Sequence, residues 1–455
     1  MGTVQTKFYI TQERIAQVAE VMFLAAIMFL IVRKNDYPWA LKRSSDILFL
    51  LSAILTALHL TFAVRWSSFL QTHRKVIVGF SLIFSGLILA SIVSYVLDGV
   101  RIDTEGILMF GRFFEVGVVV LLVGFFATRN PHFFRKVAIT QLSTLVYLCA
   151  LFSQRNPNVT MGRFVLFENR SDNVSYYLIV SLSLMVVLFL ERVKPFRKSF
   201  FLFYLVAIGF SSILLWTFVR ASWVGFSAAA FFTLLMWILK TKAEKAKRVF
   251  IGIVLIILLA PLGFLVAPRM VRNGVIGKFF PAIQRQIQEE VGFEKATTLV
   301  VAKTVLVDKP SFSFYDPLRV FLWKEYAKKM IERPIGFGIH FTTFTRATSQ
   351  STVQWKLISS LGPHNTILEI LVLGGFLALY GFLYLFYLGF KNLLQAFKAG
   401  SDTRWCLYVL ASISGLAVAS FFDHMITFRI MWVMVGLGIY AKHIPIVSPS
   451  PSITS

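Results

Sequence analysis

Apolar runs of about 20 residues recur along almost the whole chain, separated by short polar stretches, and few folds can accommodate that pattern. The runs lie at 15–32, 47–64, 76–97, 107–127, 137–152 and 174–190, then at 200–219, 223–239, 249–266, 367–390, 405–422 and 425–441. Each is long enough, or nearly so, to cross the ~30 Å hydrocarbon core of a bilayer as a helix. Backbone groups in lipid must be satisfied within the segment, and runs of this length do so as helices. The expected fold is an all-α integral membrane protein with about a dozen transmembrane helices.

Composition agrees with this reading. Hydrophobic residues make up 57% of the chain, 47 of its residues are Phe, and mean hydropathy is +0.72. Soluble domains are about 45–50% apolar by a similar count. The net charge of +24 suggests nucleic acid at first sight. The basic residues, however, sit in short clusters between apolar runs rather than in a tail or on one amphipathic face, so nucleic acid is not an expected partner and membrane lipids are. Cys149 and Cys406 both fall inside predicted spans, which leaves no disulfide framework and no zinc pattern. The first run follows a polar stretch, 1–14, with no small-residue cleavage site after it, and is expected to be a retained span.

Lys and Arg in the short loops give an orientation. With both termini in the cytoplasm, the cytoplasmic segments hold about twice as many Lys and Arg residues as the opposite short loops. Lys240, Lys242, Lys245, Lys247 and Arg248 form the densest cytoplasmic cluster. Arg33, Lys34, Lys42 and Arg43 in the first outer loop are the exception. The resulting organisation is nine spans over 1–266, a large outer loop over 267–363, three spans over 364–445 and a polar tail over 446–455. A loop that long is more than a connector. Helical patterns occupy 276–291 and 316–333; the second opens with Asp316-Pro317, a cap followed by the residue favoured at the first helical position. It stops before Pro334-Ile335-Gly336-Phe337-Gly338, a glycine-rich turn.

Ionisable residues inside or at the outer ends of spans are functional candidates in a membrane protein. Arg220 stands between two apolar runs at the outer boundary. Arg112 and Glu115 lie three apart in the fourth span, His364-Asn365 opens the tenth, and Asp423, His424 and Arg429 mark the last outer turn. Each also has a structural reading. Arg112 and Glu115 would form an ion pair along one helix face, Arg220 would snorkel to lipid phosphates, His364 would be an interfacial polar residue, and Asp423-His424 would cap and turn a helix.

The order of these features resembles the O-antigen ligase family. The Pro334–Gly338 turn is followed by His364-Asn365-Thr366-Ile367-Leu368-Glu369 and then Gly374-Gly375. Arg220-Ala221-Ser222-Trp223 is similar to the family's Ser-Arg-Gly/Ala-x-Trp stretch, with Val219 in place of the serine. Arg319 and Trp323 look like the family's second loop arginine and its surroundings. The resemblance implies a GT-C-like membrane glycosyltransferase of the Gram-negative inner membrane, working at the periplasmic face. Its donor would be O-antigen linked to undecaprenyl pyrophosphate and its acceptor the lipid A-core oligosaccharide. An O-antigen polymerase of the same family is the near alternative. A lipid-linked oligosaccharide flippase is the distant one, since transporters tend to carry repeats and midplane charges.

That chemistry suits the residues. The acceptor hydroxyl needs a base, and a histidine near neutral pKa serves: His364, with His340 as the substitute. The leaving pyrophosphate needs positive charge, and the forked guanidinium groups of Arg220 and Arg319 match phosphate oxygens. Asn365, His340, Arg112 and Glu115 complete the expected substrate-contacting set. The loop has no acidic cluster of the Asp-x-Asp kind, so no metal or other cofactor is expected. The resemblance further implies an inverting transfer.

Overall fold

The computed structural model describes residues 2–29, 44–63, 65–99, 102, 104–154, 158–160, 163–165, 171–192, 220–240, 317–339, 365–423, 425 and 428–446. The expected spans at 200–219 and 249–266, the loop helix at 276–291 and the polar tail after Ile446 lie outside these residues. Eleven helices are described: α1 (Gly2–Met28), α2 (Ser44–Phe62), α3 (Trp66–Asp98), α4 (Thr104–Arg129), α5 (Phe133–Gln154), α6 (Ser171–Arg192), α7 (Arg220–Lys240), α8 (Pro317–Glu332), α9 (Thr366–Lys398), α10 (Thr403–Ser420) and α11 (Arg429–Ile439). Six of the described helices are long and apolar enough to cross a membrane. The α-helical membrane architecture therefore stands, with one addition: strands β1 (Asn158–Thr160) and β2 (Arg163–Val165) pair antiparallel in the connection between α5 and α6.

Helices in lipid gain little from the hydrophobic effect when they associate, so close packing at small residues takes over. The most extensive pairing is α3 with α9, and glycines set its crossing. A Cβ on Gly86 would lie 2.5 Å from the Gly374 carbonyl oxygen, and one on Gly381 would lie 2.6 Å from that of Gly79. The second such crossing joins α7 to α10, where a Cβ on Gly225 would lie 2.5 Å from the Gly415 carbonyl oxygen.

The last expected span, 425–441, is shorter than its apolar run. Thr366 Oγ1 donates to the Asp423 carbonyl at 2.7 Å and accepts from the Met425 amide at 2.8 Å. That pins the turn before α11 and delays the helix to Arg429. At 11 residues, α11 is ~16 Å long, too short to cross alone. Every one of its residues is buried, as expected of a helix apolar all round. Trp432 sits at the centre, with the Phe80 ring 5.4 Å and the Phe382 ring 5.7 Å away.

The polar contacts gather at the two ends of the bundle. At the end away from α8, Arg129 pairs with Glu13 and donates to His59 Nε2 at 3.0 Å, while His59 Nδ1 donates to the Gln12 carbonyl at 2.9 Å. Beside them Glu20, 8% exposed, accepts from Asn130 Nδ2 and Lys136 Nζ, both at 2.8 Å. The described candidate site residues belong to the other end.

Candidate functional site at the loop end of the bundle

Three elements build this end: the N-terminal turn of α9, the α10–α11 turn, and the loop helix α8 with the glycine turn after it. Asn365 caps α9, its side-chain oxygen accepting from the amides of Ile367 at 2.9 Å and Leu368 at 3.1 Å. Asn365 is 7% exposed, so the cap is a fixed element. Thr366 then joins α9 to the α10–α11 turn by the two hydrogen bonds given above. The Asp423 carboxylate accepts from the Tyr176 hydroxyl of α6, and the Tyr176 ring stands 5.4 Å from that of Phe428. Asp423 is thus held from α6 and α9 at once.

α8 follows the Asp-Pro signal closely, starting at Pro317 and ending at Glu332 before Pro334. Its Trp323 ring lies 6.2 Å from that of Phe422, which places α8 beside the Asp423 turn. Tyr326 and Met330 are buried. Burial, with the Glu369 carboxylate of α9 nearby, pushes the Tyr326 phenol above its usual pKa.

The glycine turn after α8 fits into a break in α9. Gly375 has φ 64° and ψ −164°, which interrupts the helix and releases backbone groups there. The Phe337 amide donates to the Val372 carbonyl at 2.7 Å, and the Phe376 amide donates to the Pro334 carbonyl at 3.2 Å. Turn and break therefore satisfy each other, as irregular backbone inside a membrane bundle must be satisfied by protein. On its other side the turn rests on α3. Ser94 Oγ donates to the Phe337 carbonyl at 2.6 Å, and Ser91 Oγ accepts from the Ile339 amide at 3.2 Å. Arg333 pairs with Asp98 and donates to Ser94 Oγ at 3.0 Å. Gly336 and Gly338 have φ of 91° and 79°, values that favour glycine.

The sequence-predicted residues fall as follows. Arg220 is the first residue of α7, with Ala221 and Ser222 after it fully or nearly buried. α7 and α10 cross at Gly225–Gly415, so Arg220 and the Asp423 turn lie on the same side of that crossing. Arg319 is the third residue of α8. His364 and His340 lie outside the described residues. Glu115 does not pair with Arg112, which is exposed. Its carboxylate goes to Arg429, which also pairs with Asp46 at 2.5 Å. Arg429 is buried and stands over the Phe49 ring at 5.5 Å, and a guanidinium in that position outcompetes an exposed one three residues away.

Tyr176, Thr366, Ser91 and Ser94 were not singled out from the sequence. Ser91 and Ser94 carry a usable signal, since hydroxyls at i and i+3 in an apolar span share one face. Tyr176 carries none, as 247 positions separate it from Asp423.

Sequence comparison supplies the last observation. Residues 204–383 match the family model described as O-Antigen ligase. The matched stretch takes in Arg220, α8, the glycine turn, Asn365 and the break in α9, and stops short of Asp423 and of α10 and α11. No curated protein matches the chain. Over this segment, which holds the loop-end motifs in order, the chain is similar to the O-antigen ligase family.

Proposed function

We propose that this protein transfers O-antigen from undecaprenyl pyrophosphate to the lipid A-core oligosaccharide, at the periplasmic face of a Gram-negative inner membrane. The observation that carries this reading is the family match over the segment holding Arg220, Arg319 and Asn365. The bias of Lys and Arg toward the opposite loops supports a periplasmic loop end.

In the proposed reaction His364 takes the proton from an acceptor hydroxyl, and the acceptor oxygen attacks the anomeric carbon of the donor sugar from the face opposite the phosphate. The bond between that carbon and the phosphate oxygen breaks, and its electron pair leaves with undecaprenyl pyrophosphate. Configuration at the carbon inverts. Arg220 and Arg319 bind the pyrophosphate and offset the charge that grows on its bridging oxygen, where a well-placed donor is worth about 3–4 kcal/mol of barrier. Asn365 fixes the start of α9 through its cap, and the glycine turn fixes the end of α8.

Lipopolysaccharide from a deletion strain tests the reading on a gel. A ligase mutant loses every O-antigen rung. A ladder reduced to core plus one unit would identify a polymerase instead, and an unchanged ladder would refute both.

A further inference from the structure

The end of the bundle away from α8 has a polar joint of its own, centred on His59 in the last turn of α2. His59 is 2% exposed, and both of its ring nitrogens are engaged. Nδ1 lies 2.9 Å from the Gln12 carbonyl oxygen, and Nε2 lies 3.0 Å from Arg129 Nη1. A carbonyl only accepts and a guanidinium only donates. One protonation state meets both partners: a neutral ring with its hydrogen on Nδ1 and its lone pair on Nε2.

The joint ties three helices together. Gln12 of α1 grips α2 twice, since its side-chain amide also donates to the Phe62 carbonyl at 2.9 Å. Arg129, the last residue of α4, pairs with Glu13 of α1. Among the described residues, the charged groups facing the ring are Glu13 from α1, Arg129 from α4 and Arg65 from the connection into α3. Two of these three are cations. The Arg129 and Glu13 side chains are 24% and 46% exposed, so water reaches the joint and a proton has a route to the buried ring.

We propose that His59 is a pH-sensitive latch joining α1 to α2 and α4, closed while the ring is neutral and released when it takes a proton. That proton goes to Nε2, where the ring's free lone pair lies. It turns an acceptor into a donor aimed at the donors of Arg129, and it sets a second positive charge beside the guanidinium. Glu13 offsets one of the two charges and not both. Arg129 must then swing away, and its hold on Glu13 goes with it. Because the neutral ring is the one that fits, the latch is intact at higher pH and is lost as pH falls through the range in which the ring titrates. The latch does not depend on glycan transfer, so it stands or falls apart from the proposed function.

Hydrogen exchange of the full chain in lipid nanodiscs tests it at about pH 7.5 and about pH 5, a span in which an ordinary histidine titrates while an ordinary glutamate stays mostly ionised. After correction for the intrinsic rate, amides in residues 12–20 should exchange about tenfold faster at the lower pH, as loss of a hydrogen bond to a charged group implies. Peptides from α10 should exchange alike at both. His59→Gln has no proton to gain, and Arg129→Gln can turn its amide to accept from a charged ring, so each should flatten the difference. Nitrogen NMR spectra of the wild type with isotope-labelled histidine should show His59, assigned by its absence in His59→Gln, as the neutral Nδ1–H tautomer at the higher pH. Equal exchange at both pH values in the wild type, a charged ring at the higher pH, or the Nε2–H tautomer there would each overturn the proposal. So would an undiminished pH effect in either variant, which would assign the titration to Glu13 or Glu20.

Discussion

Gly336 lies against Gly375 so closely that a Cβ on Gly336 would come within 2.6 Å of the Gly375 amide nitrogen. The loop turn and the break in α9 are therefore one joint. A Cβ on Gly375 would in turn meet the Ile335 carbonyl at 2.4 Å. Gly375→Ala combines this clash with a positive φ, costing about 2–4 kcal/mol in stability. It should lower the melting temperature in detergent and detach the loop, read as new protease cleavage near residues 333–339. Ala at Gly111, where a Cβ would meet nothing within 4 Å, should leave both unchanged.

His364→Ala should abolish transfer while leaving expression and lipid-linked donor binding largely intact. Near-normal capping of core oligosaccharide by that variant would remove the residue from the mechanism and bring His340 forward. Arg220→Lys and Arg319→Lys keep the charge and lose the fork, so each should be impaired, and each Arg→Ala should lose about 10²–10³ in rate.

Turnover by purified enzyme should persist in excess EDTA. Among the acidic residues near this end, Glu115 is engaged with Arg429 and Asp423 with Tyr176. The leaving-group charge is assigned to arginines instead. Activity stopped by EDTA and restored by magnesium or manganese would demote Arg220 and Arg319 to positioning residues.

Arg429→Ala removes an ion-pair partner from both Asp46 and Glu115. The two carboxylates are 28% and 31% exposed, so the loss should be about 2 kcal/mol, below the 3–5 of a fully buried pair. A double-mutant cycle with Glu115→Gln should show coupling. A cycle pairing Arg112→Ala with Glu115→Gln should show none, and coupling there would contradict the pairing described above.

The elements were more legible than their contacts. Pro317 and Pro334 bracket α8, and Asn365 marks the start of α9, because caps and breakers act on local backbone. Hydrogen-bonded pairs such as Tyr176 with Asp423, 247 positions apart, carry no local trace. Spans immersed in lipid are apolar on lipid-facing and core-facing sides alike, so periodicity does not reveal which face meets which neighbour. Leu50 is 61% exposed while Phe49 beside it is buried, yet both read as span. The Arg112–Glu115 reading failed for the related reason that i,i+3 spacing shows proximity but not a competitor arriving from α11.

Glu20 carries a consequence for how the chain enters the membrane. It is buried within α1, and its partners Asn130 and Lys136 are 110 and 116 positions further on. During synthesis the first helix must wait, with an uncompensated carboxylate, until α2, α3 and α4 have emerged behind it. Nascent chains cut before residue 130 should therefore hold α1 in the bilayer less firmly than longer ones, and Glu20→Gln should erase that difference.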